Sequence, residues 1–225
     1  KVSEHVAIAF SGRRSYIDLL LPLVKGYGSE KCTELLVLSL QCFGGSGYVT
    51  DFPAEQYLRD QKIDSLYEGT THIQALDLLF RKVVRDGGKT LEGLMGRILK
   101  TLTDAEGGDA LKDERAALGR ALQDVQGIFM TLMAKLQESA YHVGFQGNRV
   151  LFALAEVVVG WLLVRHAALA LSKMDGAGRR DQVYYAGKVA SARWFCAEVL
   201  PQLTGVRKQV ERSSLALMDL ADEAF

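Results

Sequence analysis

Glu68, in the run Leu66-Tyr67-Glu68-Gly69-Thr70, stands just ahead of a segment whose apolar spacing predicts a helix. A carboxylate there lies near the unpaired backbone N–H groups of a helix entrance. The helix dipole favours its ionised form, whereas burial beside Leu66, Tyr67 and an apolar ligand favours the neutral one. A general base working near neutral pH needs the second influence to prevail, in a closed and desolvated pocket. Read on these residues alone, Glu68 is first an acid that stabilises a helix start.

Upstream, Gly44-Gly45-Ser46-Gly47 can bring backbone N–H groups close to a phosphate, because glycine tolerates positive φ and has no side chain in the way. The run is not a GxGxxG motif, since Thr50 holds the last position, nor a P-loop, which ends in Gly-Lys-Ser/Thr. By itself it reads as a helix stop and a tight turn. His72 falls in a first helical turn, a surface or capping position before it is a proton shuttle. His5, His142 and His166 share no ligand spacing with carboxylates or cysteines, so no metal is expected.

The elements that must position these residues read as all-α. Only three prolines, Pro22, Pro53 and Pro201, interrupt the chain, and no segment sustains the alternation of a strand. Ser29 as N-cap and Gly44-Gly45 as stop predict a helix over 29–43, and Pro53 opens a short one over 53–59. Thr70 or Thr71 caps the next, with Ile73, Leu76, Phe80 and Val83 on one buried face. It should stop at Asp86-Gly87-Gly88, and 103–109 is a second loop.

Beyond that loop, Leu118, Leu122, Val125, Phe129, Leu132 and Leu136 repeat at alternating spacings of four and three, the stripe of a long bundle helix. Residues 141–173 form another, apolar around most of its circumference and therefore central to the bundle. A helix over 181–200 carries Tyr185, Val189, Ala192 and Cys196 on one face, and Pro201 separates it from a last helix. The short connections imply an antiparallel bundle.

Charge narrows the function classes. Twenty-seven basic residues balance twenty-seven acidic ones, so no net field draws nucleic acid to the chain. Cys32, Cys42 and Cys196 lack CxxC spacing and sit in apolar helical patterns, which predicts small buried hydrophobes in a reducing compartment. The apolar run 150–164 contains Glu156 and falls short of the ~20 residues of a transmembrane span, so a buried helix is expected. The start, Lys1-Val2-Ser3-Glu4-His5, is neither an initiator Met nor a secretory signal. The expectation is a piece of a longer chain, cytoplasmic, or mitochondrial if a targeting sequence has been lost.

Gln41, Gly44-Gly45, Gly47-Tyr48, Pro53, Arg59-Asp60, Ile63, Tyr67-Glu68-Gly69-Thr70 and Ile73-Gln74 stand in the order and spacing of the acyl-CoA dehydrogenases. The chain resembles that family over nearly its whole length. Looser matches from Ala75 to Leu79, at Arg81-Lys82-Val83, at Tyr184-Tyr185-Ala186-Gly187-Lys188 and at Leu200-Pro201 resemble the subgroup with an additional C-terminal helical domain. The resemblance implies a partial C-terminal helical domain over 1–86 and a helical extension over 87–225, folded as a second antiparallel bundle.

By resemblance, Glu68 is the base that takes the α-proton of an acyl-CoA thioester while the β-hydrogen leaves as hydride to the flavin of FAD. The Glu68 amide, with a ribitol hydroxyl, would stabilise the enolate-like oxygen. Tyr67 and Gly69 would line the thioester end of the pocket. Gln41, Gly44 and Gly45 would contact the adenosine diphosphate part of an FAD held mainly by a neighbouring subunit, and Thr70 would touch the flavin nucleotide of its own site. His72 replaces a Gln that makes a cofactor contact in many members. The implied partners are the N-terminal portion of the same enzyme, a second copy in a homodimer, and an electron-transfer flavoprotein or similar acceptor. With no strand-rich segment, the chain would supply a base and part of an FAD site and be inactive alone. A non-catalytic helical module that assembles a dimer is the alternative.

Overall fold

The structure, a computed structural model, describes the backbone of residues 2–224 and the side chains of residues 14–224. Among the described residues every regular element is helical, as expected. The chain divides into two compact units, Lys1–Leu91 and Glu92–Phe225.

The first unit is organised by one long helix, α1 (Val2–Phe43), followed by a 3-10 turn at Gly44–Gly47 and by α2 (Ala54–Lys62). Ser29, expected to cap a helix, lies inside α1 instead. Its hydroxyl donates to the carbonyls of Lys25 at 2.7 Å and Gly26 at 3.3 Å, the back-bonding of an interior serine. Pro22 is likewise inside the helix, between the buried side chains Leu19 and Leu23. Tertiary packing of this face offsets the hydrogen bond that proline forfeits.

After a 3-10 turn at Ile63–Ser65 comes α3 (Thr71–Leu76), which runs without a break into a π-helical stretch, Asp77–Val84. The buried face is not the expected one. Ile73 and Phe80 are open to solvent at 52% and 37%, while Ala75, Leu78, Leu79 and Val83 form the buried side. Ala75, Leu78, Leu79 and Val83 stand at i, i+3, i+4 and i+8, itself an ordinary helical stripe, so the helix packs through the apolar stripe beside the expected one and shares only Val83 with it.

α4 (Lys89–Thr103) begins after Gly87 and Gly88, both at positive φ, and carries the boundary between the units. The second unit contains α5 (Lys112–Glu138), α6 (Tyr141–Met174), α7 (Arg179–Glu198) and α8 (Leu203–Glu211). On α5 the stripe from Leu118 to Leu132 is buried as predicted. α6 is the core helix. Its 18-residue apolar window has mean hydropathy 1.8, sufficient by length and composition to cross a membrane, yet 56% of that window is buried in the fold. Gly160 allows close packing there, because a Cβ would come within 3.1 Å of the buried Leu200.

Candidate functional site

The loop between the 3-10 turn at Ile63–Ser65 and α3 carries the predicted base. Glu68 has φ +55, a left-handed conformation uncommon for a residue with a Cβ, and Gly69 follows at φ +96. Thr70 then turns extended and caps α3, its Oγ1 accepting from the Ile73 amide at 3.5 Å. Thr70 is thus the cap that the sequence left open between two threonines. Gln74, one turn into the helix, donates from Nε2 to the Glu68 carbonyl at 3.0 Å. Gly69 fits beneath this bond, where a Cβ would approach Gln74 Nε2 to 3.1 Å and Ile73 Cγ2 to 3.2 Å.

α1 supports the loop from behind. Lys25 donates from Nζ to the Asp64 carbonyl and lies 5.1 Å from the centre of the Tyr67 ring. The Asp64 carboxylate, first by its charge and then by a hydrogen bond, pushes the Tyr67 phenol up, with burial and the charge of Glu68 adding to the effect. Glu30 accepts from Thr71 Oγ1 at 2.6 Å and pairs with Lys62 at 3.3 Å, so one carboxylate joins α1, α2 and the start of α3. Glu30 lies in the interior of the long α1, well away from either helix end.

The Glu68 side chain is exposed and borders an open groove of about 460 Å³, shared with Ile73, Gln74, Leu76, Asp77, Phe80, Arg81 and Lys82. Ile73 and Phe80, misassigned to the core, are thereby available to an apolar ligand. The half-buried His72 stands beside Thr71 in the first turn of α3.

Gln41, in the last turn of α1, and Gly44 and Gly45, in the 3-10 turn that follows it, are exposed. Among the described residues no hydrogen bond joins them to the loop 67–72. A Cβ at Gly44 or Gly45 would meet nothing within 4 Å, so both backbones face open space. This is compatible with an edge of a nucleotide cofactor coming against them. Gly47 is different: its Cβ would lie 2.6 Å from the Leu40 carbonyl oxygen, so glycine is sterically required there.

Lys25, Glu30, Gln74 and Gly47 were not singled out as site residues from sequence. Only Gln74 and Gly47 belonged to the recognised string, and nothing in the spacing of Lys25 or Glu30 signals a contact with residues some forty positions away. The cysteines also need correction. Cys32 and Cys42 are exposed, and only Cys196 is buried, its thiol pushed up to about 12 by burial and by the charge of Glu114.

Residues 11–82 match the family model described as Acyl-CoA dehydrogenase, C-terminal domain, and residues 94–221 match that described as Acetyl-CoA dehydrogenase C-terminal like. Among curated proteins, the Broad-specificity linear acyl-CoA dehydrogenase FadE5 of Mycobacterium tuberculosis is 46% identical, covering 92% of this chain and 35% of its own length. A Butyryl-CoA dehydrogenase of Syntrophomonas wolfei is 30% identical over 99% of this chain and 37% of its own. A 3-methylmercaptopropionyl-CoA dehydrogenase of Ruegeria pomeroyi is 31% identical over 91% of this chain and 35% of its own. The chain therefore spans about a third of the length of these relatives. The crystal structure of Caenorhabditis elegans ACDH-11 in complex with C11-CoA is similar in fold, with a TM-score of 0.68 at 22% identity over 94% of this chain and 34% of that one. With one C-terminal model matched within each of its two units, the chain belongs to the acyl-CoA dehydrogenase family.

Proposed function

We propose that this chain is the base-bearing C-terminal portion of a flavin-dependent enzyme that removes the α- and β-hydrogens of an acyl-CoA thioester. The observation that carries this reading is Glu68 itself: a left-handed residue whose carbonyl is held by Gln74, at the rim of a groove with exposed Ile73 and Phe80. Strained backbone of this kind costs about 1–3 kcal/mol and persists where surrounding structure enforces it, commonly at functional sites. The similarity to relatives named as acyl-CoA dehydrogenases supplies the substrate class.

In this reading the Glu68 carboxylate takes the α-proton, and the electron pair of the broken C–H bond passes into an enolate-like thioester. The Glu68 N–H donates to the developing oxyanion. Tyr67 and Gly69 border the thioester, and Ile73 and Phe80 exclude water from it. FAD, when bound there, would supply the acceptor for the β-hydride. Gln41 and the open backbones of Gly44 and Gly45 would meet its adenosine diphosphate portion; Thr70, whose oxygen accepts from α3, has a hydroxyl hydrogen left to donate to it, and His72 is adjacent. The remainder of the flavin site, a second copy of the chain and an electron-transfer flavoprotein or similar acceptor complete the enzyme.

The test is Glu68→Gln in the intact enzyme. FAD should stay bound while bleaching of its absorbance by acyl-CoA disappears; turnover retained by the variant would remove Glu68 from the role of base. A second reading, a helical assembly module without chemistry, is favoured by one observation: among the described residues there is no strand from which to build a flavin domain. It requires bleaching in the intact protein to be indifferent to Glu68.

A further inference from the structure

α7 presents two unlike faces. Val189, Ala192, Phe195 and Cys196 are buried in the bundle, whereas the opposite side carries Arg179, Val183, Gly187, Ala190, Trp194 and Glu198, all exposed. Their spacing puts the six on one stripe of the helix. Trp194 at 62% and Val183 at 69% exposure leave two large apolar side chains in water, and a Cβ on Gly187 would meet nothing within 4 Å. Arg179 and Glu198 have no ion pair with any described residue.

The stripe is self-complementary when reversed. In an antiparallel pair centred between Gly187 and Ala190, Arg179 faces the partner's Glu198, Val183 faces the partner's Trp194, and Gly187 faces the partner's Ala190. Small residues at the centre allow helix axes to approach to about 8 Å, the lower end of helix packing distances. Large apolar side chains flank that centre, and opposite charges close both ends, the arrangement of an isologous interface. We propose that a second copy of this chain docks on this stripe, α7 against α7 antiparallel across a two-fold axis. The inference is independent of the catalytic reading, since no residue of the stripe lies in the first unit.

Sedimentation of the intact protein over a concentration series tests it. Trp194→Lys should weaken one two-fold association step by more than about tenfold, as loss of a central aromatic anchor does. R179E and E198R each place like charges at both ends and should each weaken that step about threefold or more. The double variant R179E/E198R should recover most of the loss. Within one chain those two positions are separated by about 28 Å of helix, so the recovery can arise only between copies. Assembly unaffected by Trp194→Lys, whether the stripe then proves free or covered by another segment of the protein, overturns the proposal. So does a double variant that associates no better than the weaker single one.

Discussion

Gln74 Nε2 and the carbonyl oxygen of Glu68 lie 3.0 Å apart, a hydrogen bond by which the first helical turn holds the residue before its own cap. The consequence is mechanical. Glu68 stays left-handed because its carbonyl is fixed from α3, and Gly69 permits this because no Cβ stands between them. The orientation of the proposed base is therefore set by the Gln74 side chain and by the absence of one at Gly69.

Gly69→Ala and Gln74→Leu should both disturb the loop without removing the carboxylate. In the intact enzyme the expected result is kcat lowered at least about tenfold for Gly69→Ala, where strain and a steric clash coincide, and less for Gln74→Leu. FAD content should be unchanged for both. A Gly69→Ala variant with normal kcat would show that the loop conformation is immaterial to proton transfer.

Helix content and the stripe of α5 were legible because hydrophobic periodicity depends on burial, which the sequence records directly. Thr70 was legible as a cap for the same local reason. Ser29 misled because a serine cap and an interior serine bonded back to the Lys25 carbonyl share one residue type. The face of α3 differs because two apolar stripes at helical spacing run along it, sharing Val83, and only packing selects the one through Ala75, Leu78 and Leu79. Left-handed Glu68 had no signal at all: glutamate has no preference for that conformation, and tertiary contacts impose it.

Thiol reactivity should separate the cysteines sharply. At neutral pH the buried Cys196, with its thiol pushed up to about 12, stays protonated and shielded, whereas Cys32 and Cys42 are exposed. Alkylation of the folded chain with iodoacetamide, counted by mass spectrometry, should label two thiols quickly and the third only after denaturation. Rapid labelling of Cys196 in the native chain would mean that the α7 face opens readily.

Asp86 shapes the turn into α4. Its carboxylate accepts from the Gly88 amide at 2.9 Å, from the Thr90 amide at 3.0 Å, and from the Thr90 hydroxyl. Burial pushes the Asp86 carboxyl up, but these hydrogen bonds and the nearby Lys89 together outweigh it and hold the group below its ordinary 3.8. A depressed folded value means that the stabilisation is present above about pH 4 and is lost as pH falls through that lower value. Asp86→Ala should cost about 1 kcal/mol at pH 7, comparable to loss of a helix cap. Urea denaturation of both proteins should show a constant difference down to about pH 4 and a shrinking one below it. A difference that widens in acid would contradict the assigned direction.

Trp161 donates from Nε1 to Thr101 Oγ1 at 2.8 Å, joining α6 to α4 within the second unit, and both residues are buried. The indole N–H has no water to turn to if this acceptor goes. Thr101→Val keeps the volume and removes the oxygen, so it should destabilise by about 1–3 kcal/mol, the cost of an unpaired buried donor. Thr101→Ser keeps the acceptor and loses one methyl group, and it should cost about 1 kcal/mol. Adding Trp161→Phe to Thr101→Val removes donor and acceptor together, so the two losses should fall short of additive. Urea unfolding of the parent protein, Thr101→Val, Trp161→Phe and the double variant measures this directly: additive losses would show that Trp161 matters to the bundle through its bulk and that the bond itself contributes nothing.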